Sequence, residues 1–445
     1  MKLNLMNNSK KKKQERAAQL LQLNHEQEKS YIKLDNTSII HLASKNKKWI
    51  NLFRLSVSLK DPVDPKILQL ALNKTVKRFP TVAARIHKGA FWYYQLAVNN
   101  PPKVIPDQNA LLCYMSDEEL EQCAFRVLYA PKAIHVEIFH ALTDGRGGEV
   151  FLKSLLAEYL TMKHHISIPA VDGILERTEA ANEAEFTDKY LEVADSSPQK
   201  LPKEKHKKIY QFREEAGGAL QLTTIKLSVK ELKKLAKKLG VSLTVLIAAF
   251  VSEAILANQK EDKNQKDRLI KLFLPIDLRN FYPSQTLRNF VLYAKPEIDP
   301  KETNLHLTKI AHAIRQQLTE KLSEKRLRAR ITHNVRLEQN PIIKRIPLFI
   351  KRYLMKFFFS FSEKTTCLTL SNLGEMKVPE EMARYVECFD FILSPRSKTP
   401  YNIGVCSFDG ELRINISRNA QSPLLENALF TLFTAQEIAF EVEKQ

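Results

Sequence analysis

Apolar and polar positions follow two different periods along this chain, and both periods occur in each half. Alternation with a period of two over Leu52–Leu59 and Ala133–Phe139 predicts half-buried strands. Helical spacing over residues 64–79 and 150–162 predicts amphipathic helices, the first with Pro65 in its first turn. Because the elements mix without a Rossmann glycine fingerprint or a Walker loop, the pattern indicates an α+β fold.

The second half repeats this mixture. A hairpin is predicted with its turn at Asp409 and Gly410. Further strands are predicted over residues 220–227, 269–276 and 366–370, and further helices over 228–240, 242–255, 304–322, 342–359 and the end of the chain.

Length and composition predict two domains. A chain of 445 residues is too long for one ordinary core and is expected to form two of about 200 residues. A polar stretch with lysines and prolines predicts a linker over residues 195–218. It separates an N-terminal domain, residues 31–194, from a C-terminal domain, residues 219–445. Residues 1–30 are expected to form a flexible basic tail.

The net charge of +19 predicts a surface that attracts anionic ligands. A solvated basic surface explains the charge equally well. No RNA- or DNA-binding motif is present, so a nucleic-acid partner is not expected. The stretch Ile346–Phe359 is both cationic and apolar. It lies either on a bilayer or inside the second domain, and the buried helix is the favoured interpretation.

The five cysteines include no CxxC pair, so neither a disulfide framework nor a zinc site is expected. No other metal site is expected, because His164 and His165 lack a partner at metal-ligand spacing. A reducing cytoplasm fits this cysteine usage. The polar, lysine-rich start predicts no secretory signal. No apolar run approaches the roughly 20 residues of a membrane span, so no transmembrane segment is expected.

The feature that carries chemistry is a histidine followed at a spacing of four by an aspartate and a glycine: His140, Asp144 and Gly145. This motif lies between the predicted strand over 133–139 and the helix that follows. Histidine has an ordinary pKa of about 6.5 and can therefore accept a proton near neutrality. The alternative is a core histidine at the end of a strand.

These residues resemble the HxxxDG signature of the chloramphenicol acetyltransferase-like superfamily. That superfamily includes alcohol acetyltransferases, plant-type acyltransferases, wax ester synthases and peptide-synthetase condensation domains. The resemblance covers residues 31–435 and depends on four features in a fixed order. They are residues 64–92, the HxxxDG motif, residues 274–279 with Arg279, and residues 370–374 with Ser371 and Asn372.

Two departures narrow the resemblance. The DFGWG-type motif of plant enzymes is absent. The second histidine that often precedes the motif in condensation domains and wax ester synthases is replaced by Phe139. Both departures favour the alcohol acetyltransferase branch.

The resemblance implies a site between two acyltransferase-like α/β sandwich domains, with a tunnel at their interface. His140 would be the general base. Asp144 would pair with Arg279 from the second domain rather than with the imidazole. Gly145 would supply a turn conformation or a close backbone approach. Ser371 and Asn372, or backbone N–H groups near them, would donate hydrogen bonds to the oxyanion of the tetrahedral intermediate.

The implied reaction is direct transfer of an acetyl or short acyl group from acyl-coenzyme A to a small alcohol or amine. Acyl-coenzyme A would be a co-substrate, with no permanently bound cofactor, and the active form would be a monomer. Two alternatives stay open. One is an acidic acyl carrier protein as donor, attracted by the basic surface. The other is a non-catalytic binding protein on the same scaffold.

Overall fold

The structure is a computed structural model. It describes residues 31–46, 50–98, 101–108, 110–195, 208–212, 220–362, 365–396 and 399–444. The predicted tail, residues 1–30, lies outside the described residues, as does most of the predicted linker.

Strands and helices alternate irregularly along the described chain. The strands are β1 (Tyr31–Lys33), β2 (Leu52–Leu59), β3 (Ala84–Lys88), β4 (Tyr93–Ala97), β5 (Ile105–Pro106), β6 (Phe125–Ala130), β7 (Ala133–Phe139), β8 (Gln221–Ser228), β9 (Ile270–Asp277), β10 (Val291–Ala294), β11 (Glu297–Ile298), β12 (Leu368–Glu375), β13 (Val386–Leu393), β14 (Tyr401–Phe408), β15 (Glu411–Arg418) and β16 (Phe440–Lys444). The helices are α1 (Asn36–Ser44), α2 (Pro65–Arg78), α3 (Asp117–Gln122), α4 (Gly145–His164), α5 (Glu183–Phe186), α6 (Lys189–Val193), α7 (Val229–Lys238), α8 (Leu243–Glu261), α9 (Leu307–Lys321), α10 (Glu324–Gln339), α11 (Pro341–Arg345), α12 (Leu348–Ser362), α13 (Glu380–Ala383) and α14 (Leu424–Ala435).

Three sheets organise these elements, and the mixed α/β architecture predicted from the sequence is confirmed. A five-stranded sheet has the order β13-β2-β7-β6-β5. A larger sheet has the order β10-β9-β12-β14-β15-β8-β16, with β11 paired to β9. A small sheet has the order β1-β4-β3 and is formed by strands of the first half alone.

Helix α4 forms the centre of the first core. It packs against α2 and β2, and its side chains are buried from Gly147 to Leu160. Gly148 lets the helix approach the sheet, because a Cβ there would lie 2.9 Å from Cε2 of Phe53. The first turn of α4 therefore packs closely against β2 and β7, and β7 leads into the HxxxDG motif.

Helix α8 forms the centre of the second core. By length and composition alone it could cross a membrane, and it is the one such helix in the described part of the chain. Two thirds of its most apolar stretch is buried, and it packs against α9, α14 and β9. Ile209, from the stretch predicted as linker, pairs with Leu269 and is buried in the same core.

Strand β13 connects the two halves. It belongs to the second half by sequence but pairs antiparallel with β2 of the first, with Leu393 opposite Phe53. Strand β14 passes close beside it at Gly404, where a Cβ would lie 1.9 Å from the carbonyl oxygen of Phe391. Only glycine allows this approach.

The expectation that residues 346–359 form a buried helix is wrong. Leu348 and Lys351 of α12 are buried, but Phe349 and Tyr353 are 68% and 80% exposed. The helix lies on the surface with one side anchored, so its apolar composition does not reflect burial in the core.

Gly404→Ala should lower the free energy of unfolding by at least about 2 kcal/mol, because the added methyl group must push β13 away from β14. Gly410→Ala in the adjoining hairpin is the matched control. Gly410 has φ +81° and an open Cβ position, so alanine there costs about 1–2 kcal/mol of backbone strain without crowding a neighbour. Urea unfolding measures both, and equal losses would contradict the crowding argument.

Candidate active site

His140 lies at the end of β7, where the chain leaves the sheet. Its backbone N–H donates to the carbonyl oxygen of Asn51 at 3.0 Å. Its own carbonyl oxygen accepts from Nδ2 of Asn289 at 3.1 Å. The ring of Phe53 contacts the imidazole edge-on, with centroids 5.2 Å apart. Both halves of the chain therefore fix the backbone of His140.

A second histidine lies flat against His140. The rings of His41 and His140 have centroids 4.1 Å apart and an interplanar angle of 9°. His41 comes from α1, which the sequence analysis did not predict, and it was not among the candidate residues. No second histidine adjoins His140 along the chain, but the fold places one beside it in space.

Asn51 links the two histidines. Its side-chain Oδ1 lies 3.2 Å from Nδ1 of His41, and its Nδ2 donates to the carbonyl oxygen of His41 at 2.9 Å. Its backbone carbonyl binds His140, as described above. Asn51 has φ 53°, a left-handed conformation that asparagine adopts more readily than most residues. One residue therefore holds both the ring of His41 and the backbone of His140.

Both imidazoles favour the neutral form. Burial lowers the pKa of His140 below 6.5, although the Asp144 carboxylate opposes this. Burial, together with the repulsion that a protonated His140 would exert, lowers the pKa of His41 well below 6.5. Nδ1 of His140 is buried, and within the described residues it has no hydrogen-bond partner. The imidazole of His140 is therefore neutral at neutral pH.

The Asp144 carboxylate binds the second half of the chain. Its Oδ1 caps α4 by accepting from the N–H of Gly147 at 3.0 Å. Arg279 donates to both carboxylate oxygens, at 2.9 and 3.3 Å, and the N–H of Phe290 donates to Oδ2 at 2.9 Å. No hydrogen bond joins this carboxylate to His140 in the described part of the chain. Asp144 lies against Arg279.

Arg279 follows β9 in a short 3-10 turn, residues 278–280. Besides Asp144 it binds Asp277 at 2.9 Å and the carbonyl oxygens of Thr286 and Arg288. Burial opposes its charge, but the two carboxylates outweigh burial and raise its pKa. The guanidinium is thus permanently charged and held by partners on several sides.

The segment that follows, residues 286–290, wraps the motif, and we call it the clamp loop. Thr143 Oγ1 donates to the carbonyl oxygen of Leu287 at 2.5 Å. Asn289 binds the carbonyl of His140, and the N–H of Phe290 binds Asp144. Sequence reasoning missed this loop, because most of its contacts use backbone atoms and no residue pattern marks it.

Gly145 provides close approach rather than an unusual backbone conformation. A Cβ at this position would lie 2.7 Å from Cδ2 of Leu373 and 3.6 Å from Cζ of Phe391. Its φ is not among the positive values of the described chain. The end of β12 therefore lies directly against the motif, through Leu373.

Ser371 and Asn372 lie within β12, which continues past the predicted end at residue 370. Asn372 Nδ2 donates to Oγ1 of Thr244 at 3.1 Å, and its Oδ1 accepts from the N–H of Gly374 at 2.8 Å. In the described chain neither side chain has a hydrogen bond to the motif. Strand β12 lies against the motif, but the polar side-chain atoms of Ser371 and Asn372 do not bind it.

The described residues contain no group of three or more His, Cys, Asp or Glu side chains that could hold a metal ion. The polar groups gathered around His140 are the imidazole of His41, amides, hydroxyls and one arginine–carboxylate pair. The arrangement is suited to proton transfer by an imidazole.

No family model matches the chain, and no curated protein matches it in sequence. Solved structures do match over nearly its whole length. TRI101 of F. graminearum, complexed with coenzyme A and deoxynivalenol, has a TM-score of 0.60 at 13% identity and covers 93% of this chain and 99% of its own. The first condensation domain of the calcium-dependent antibiotic synthetase has a TM-score of 0.57 at 12% identity, with 90% and 95% covered.

Polyketide synthase associated protein 5 of Mycobacterium tuberculosis has a TM-score of 0.56 at 13% identity, with 91% and 97% covered. The chain has the chloramphenicol acetyltransferase-like fold. At these identities the likeness establishes the fold and leaves the reaction to be argued from the residues. In the chloramphenicol acetyltransferase-like fold of this chain, the HxxxDG motif lies where β7, β12 and the clamp loop meet.

Arg279→Met should lower the free energy of unfolding by about 3–5 kcal/mol, because it leaves the buried Asp144 charge without its cation. Arg328→Met is the control, since Arg328 forms an exposed pair with Glu324 one helical turn away. Such pairs contribute less than about 1 kcal/mol. Urea unfolding measures both variants, and a loss at Arg279 no larger than the control would refute the anchoring role.

The two histidines should make stability depend on pH. Because burial lowers both pKa values, only the unfolded chain gains protons on these groups as pH falls through 6.5. The free energy of unfolding should therefore decrease as the pH falls below about 6.5.

The variant His41→Phe keeps a ring against His140 and removes one titrating group. Between pH 7.5 and 5.5 it should lose up to about 1.4 kcal/mol less than the wild type. Urea unfolding at the two pH values measures this, and identical losses would show that His41 takes up its proton equally in both states.

Proposed function

We propose that this chain is an acyltransferase that moves an acyl group from acyl-coenzyme A to the hydroxyl of a small acceptor, with His140 as general base. The observation that carries the proposal is the neutral, buried imidazole of His140, fixed by backbone contacts from both halves of an acyltransferase-like fold. That the TRI101 structure contains coenzyme A supports the choice of donor.

The proposed reaction is a single displacement at the thioester. The acceptor oxygen attacks the carbonyl carbon as His140 removes the hydroxyl proton. The C–S bond of the tetrahedral intermediate then breaks, and the departing thiolate takes the proton from the imidazolium. No enzyme thiol is needed. Burial raises the pKa of Cys367 to about 12 and of Cys123 to about 11, which makes both poor nucleophiles.

Asp144 and Arg279 act in this proposal as positioning residues. Their ion pair holds the turn that carries His140, and neither needs to touch the substrate. His41 restricts the orientation of the catalytic ring by covering one of its faces. Because His41 stays neutral, it adds no positive charge beside His140 when that ring takes up a proton.

We propose Ser371 as the better of the two predicted oxyanion donors. The amide nitrogen of Asn372 already donates to Thr244, whereas no hydrogen bond within the described residues occupies the hydroxyl of Ser371. Substrate would enter a tunnel between the halves near this strand. A backbone N–H in the same segment could serve in place of the hydroxyl.

The alcohol acetyltransferase branch, a short acyl chain, a monomeric enzyme and a cytoplasmic location complete the proposal. A donor carried by an acidic carrier protein is the second candidate. It is favoured by the net charge of +19 and by the likeness to condensation domains. Both donors require the same base, so the substrate panel must distinguish them.

His140→Ala should reduce kcat at least about 10²–10⁴-fold, the contribution of a positioned general base. The measurement is thiol release from short acyl-coenzyme A thioesters with a panel of alcohols and amines. His333→Ala, at an exposed position on α10, is the control and should leave kcat unchanged.

Wild-type turnover by His140→Ala would refute the base assignment. Wild-type enzyme that ignores every free thioester but uses an acyl carrier protein would replace the donor and keep the base. Absence of turnover with either donor would favour the non-catalytic alternative.

A further inference from the structure

Helices α11 and α12 present the largest concentration of exposed apolar side chains in the described chain. Fifteen large hydrophobic side chains are exposed among all the described residues, and six of these fall between residues 342 and 357. We call these six the apolar face. They are Ile342 (74% exposed), Phe349 (68%), Ile350 (39%), Tyr353 (80%), Leu354 (47%) and Phe357 (71%). Exposed apolar side chains gathered in this way usually mark an interaction surface.

The apolar face is regular. Its positions on α12 follow the spacing i, i+1, i+4, i+5 and i+8, which at 100° per residue covers an arc of about 140°. The opposite side of the helix is anchored on the first half of the chain. The N–H of Leu348 donates to the carbonyl oxygen of Ala90, and Lys351 Nζ donates to that of Phe91 and lies 4.6 Å above the ring of Trp92. The exposed stripe therefore belongs to a helix that is firmly held.

The surroundings of this face are cationic. Residues 340–362 contain five lysines and arginines and no aspartate or glutamate. Lys344 and Arg345 are exposed beside Ile342. The side chain of Arg352 is 41% exposed and lies 4.0 Å from its acidic neighbour, Asp117. A shallow groove of about 440 Å³ between α11 and α12 includes Arg345 and Ile350 in its lining.

We propose that the apolar face docks on a bilayer that contains anionic phospholipid. Aromatic and aliphatic side chains on one side of a surface helix, with cations along its edge, match the headgroup boundary of such a bilayer. The apolar side chains enter the acyl region, and Lys344 and Arg345 meet lipid phosphates. Charge favours this occupant, because the cations beside the face attract anionic headgroups but would repel a second copy of a chain with a net charge of +19.

This docking places the candidate site close to the bilayer. Helix α12 packs along α1, the helix that carries His41. The docking surface is thus one helix removed from the imidazole pair. Docking of the apolar face on a bilayer does not require that the chain transfers acyl groups.

The test is flotation of the full-length protein with vesicles of phosphatidylcholine alone or with 30% phosphatidylserine. Wild-type protein should partition at least tenfold more strongly onto the anionic vesicles. The triple variant Phe349→Ser, Tyr353→Ser and Leu354→Ser should lose at least tenfold of that partitioning. Lys344→Gln with Arg345→Gln should reduce the preference for phosphatidylserine.

A matched control replaces exposed apolar side chains elsewhere, Leu70→Ser, Val171→Ser and Leu191→Ser, which are 57%, 48% and 47% exposed. It should bind like the wild type. Urea midpoints should be equal for all variants, because no buried side chain changes.

Three results would overturn the proposal. The first is no vesicle binding by the wild type. The second is binding that survives the triple substitution, which would assign it to another surface such as residues 1–30. The third is a dimer in sedimentation velocity that the triple variant abolishes, without vesicle binding, which would make the face a contact between two copies of the chain.

Discussion

The Asp144 carboxylate is the point on which the site depends. Its two oxygens accept four hydrogen bonds, one from the first turn of its own helix and three from the second half of the chain. A carboxylate buried to this extent is tolerated only when its charge is matched and its lone pairs are used. Arg279 supplies the charge and the N–H of Phe290 completes the set. The geometry around His140 is therefore a property of the contact between halves, and neither half can hold it alone.

The imidazole pair shows a second constraint, which acts within the first half. Asn51 binds the side chain of His41 and the backbone of His140, so hydrogen bonds to one residue help to hold the two rings beside each other. Burial keeps both rings neutral, so they stack closely without charge repulsion. The pair therefore carries no charge at neutral pH, and the ring of His140 can still accept a proton.

The parts predicted from the sequence are those with a local pattern. The helix beginning at Pro65, the strand ending at Phe139 and the hairpin at Gly410 all have periodicity or turn residues that mark them. His41 could not be predicted from a local pattern, because α1 is short. Its contact with His140 forms only when the fold brings together residues that are far apart in the sequence. Strand β13 was missed as well, since its partner lies more than three hundred residues away along the chain. The exposed side of α12 was misassigned because composition alone does not separate a core helix from a surface one with an apolar stripe.

Strand β13 completes the five-stranded sheet late in synthesis. Strand β2 leaves the ribosome early, but its outer neighbour follows about 330 residues later. At 5–20 residues per second that interval is roughly 15–65 s. During it β2 is an unpaired edge rich in Leu, Val and Phe, the kind of edge that joins with other chains. The nascent first half is therefore the stage at which a chaperone, or a slower rate of expression, has the greatest influence on the yield of folded protein.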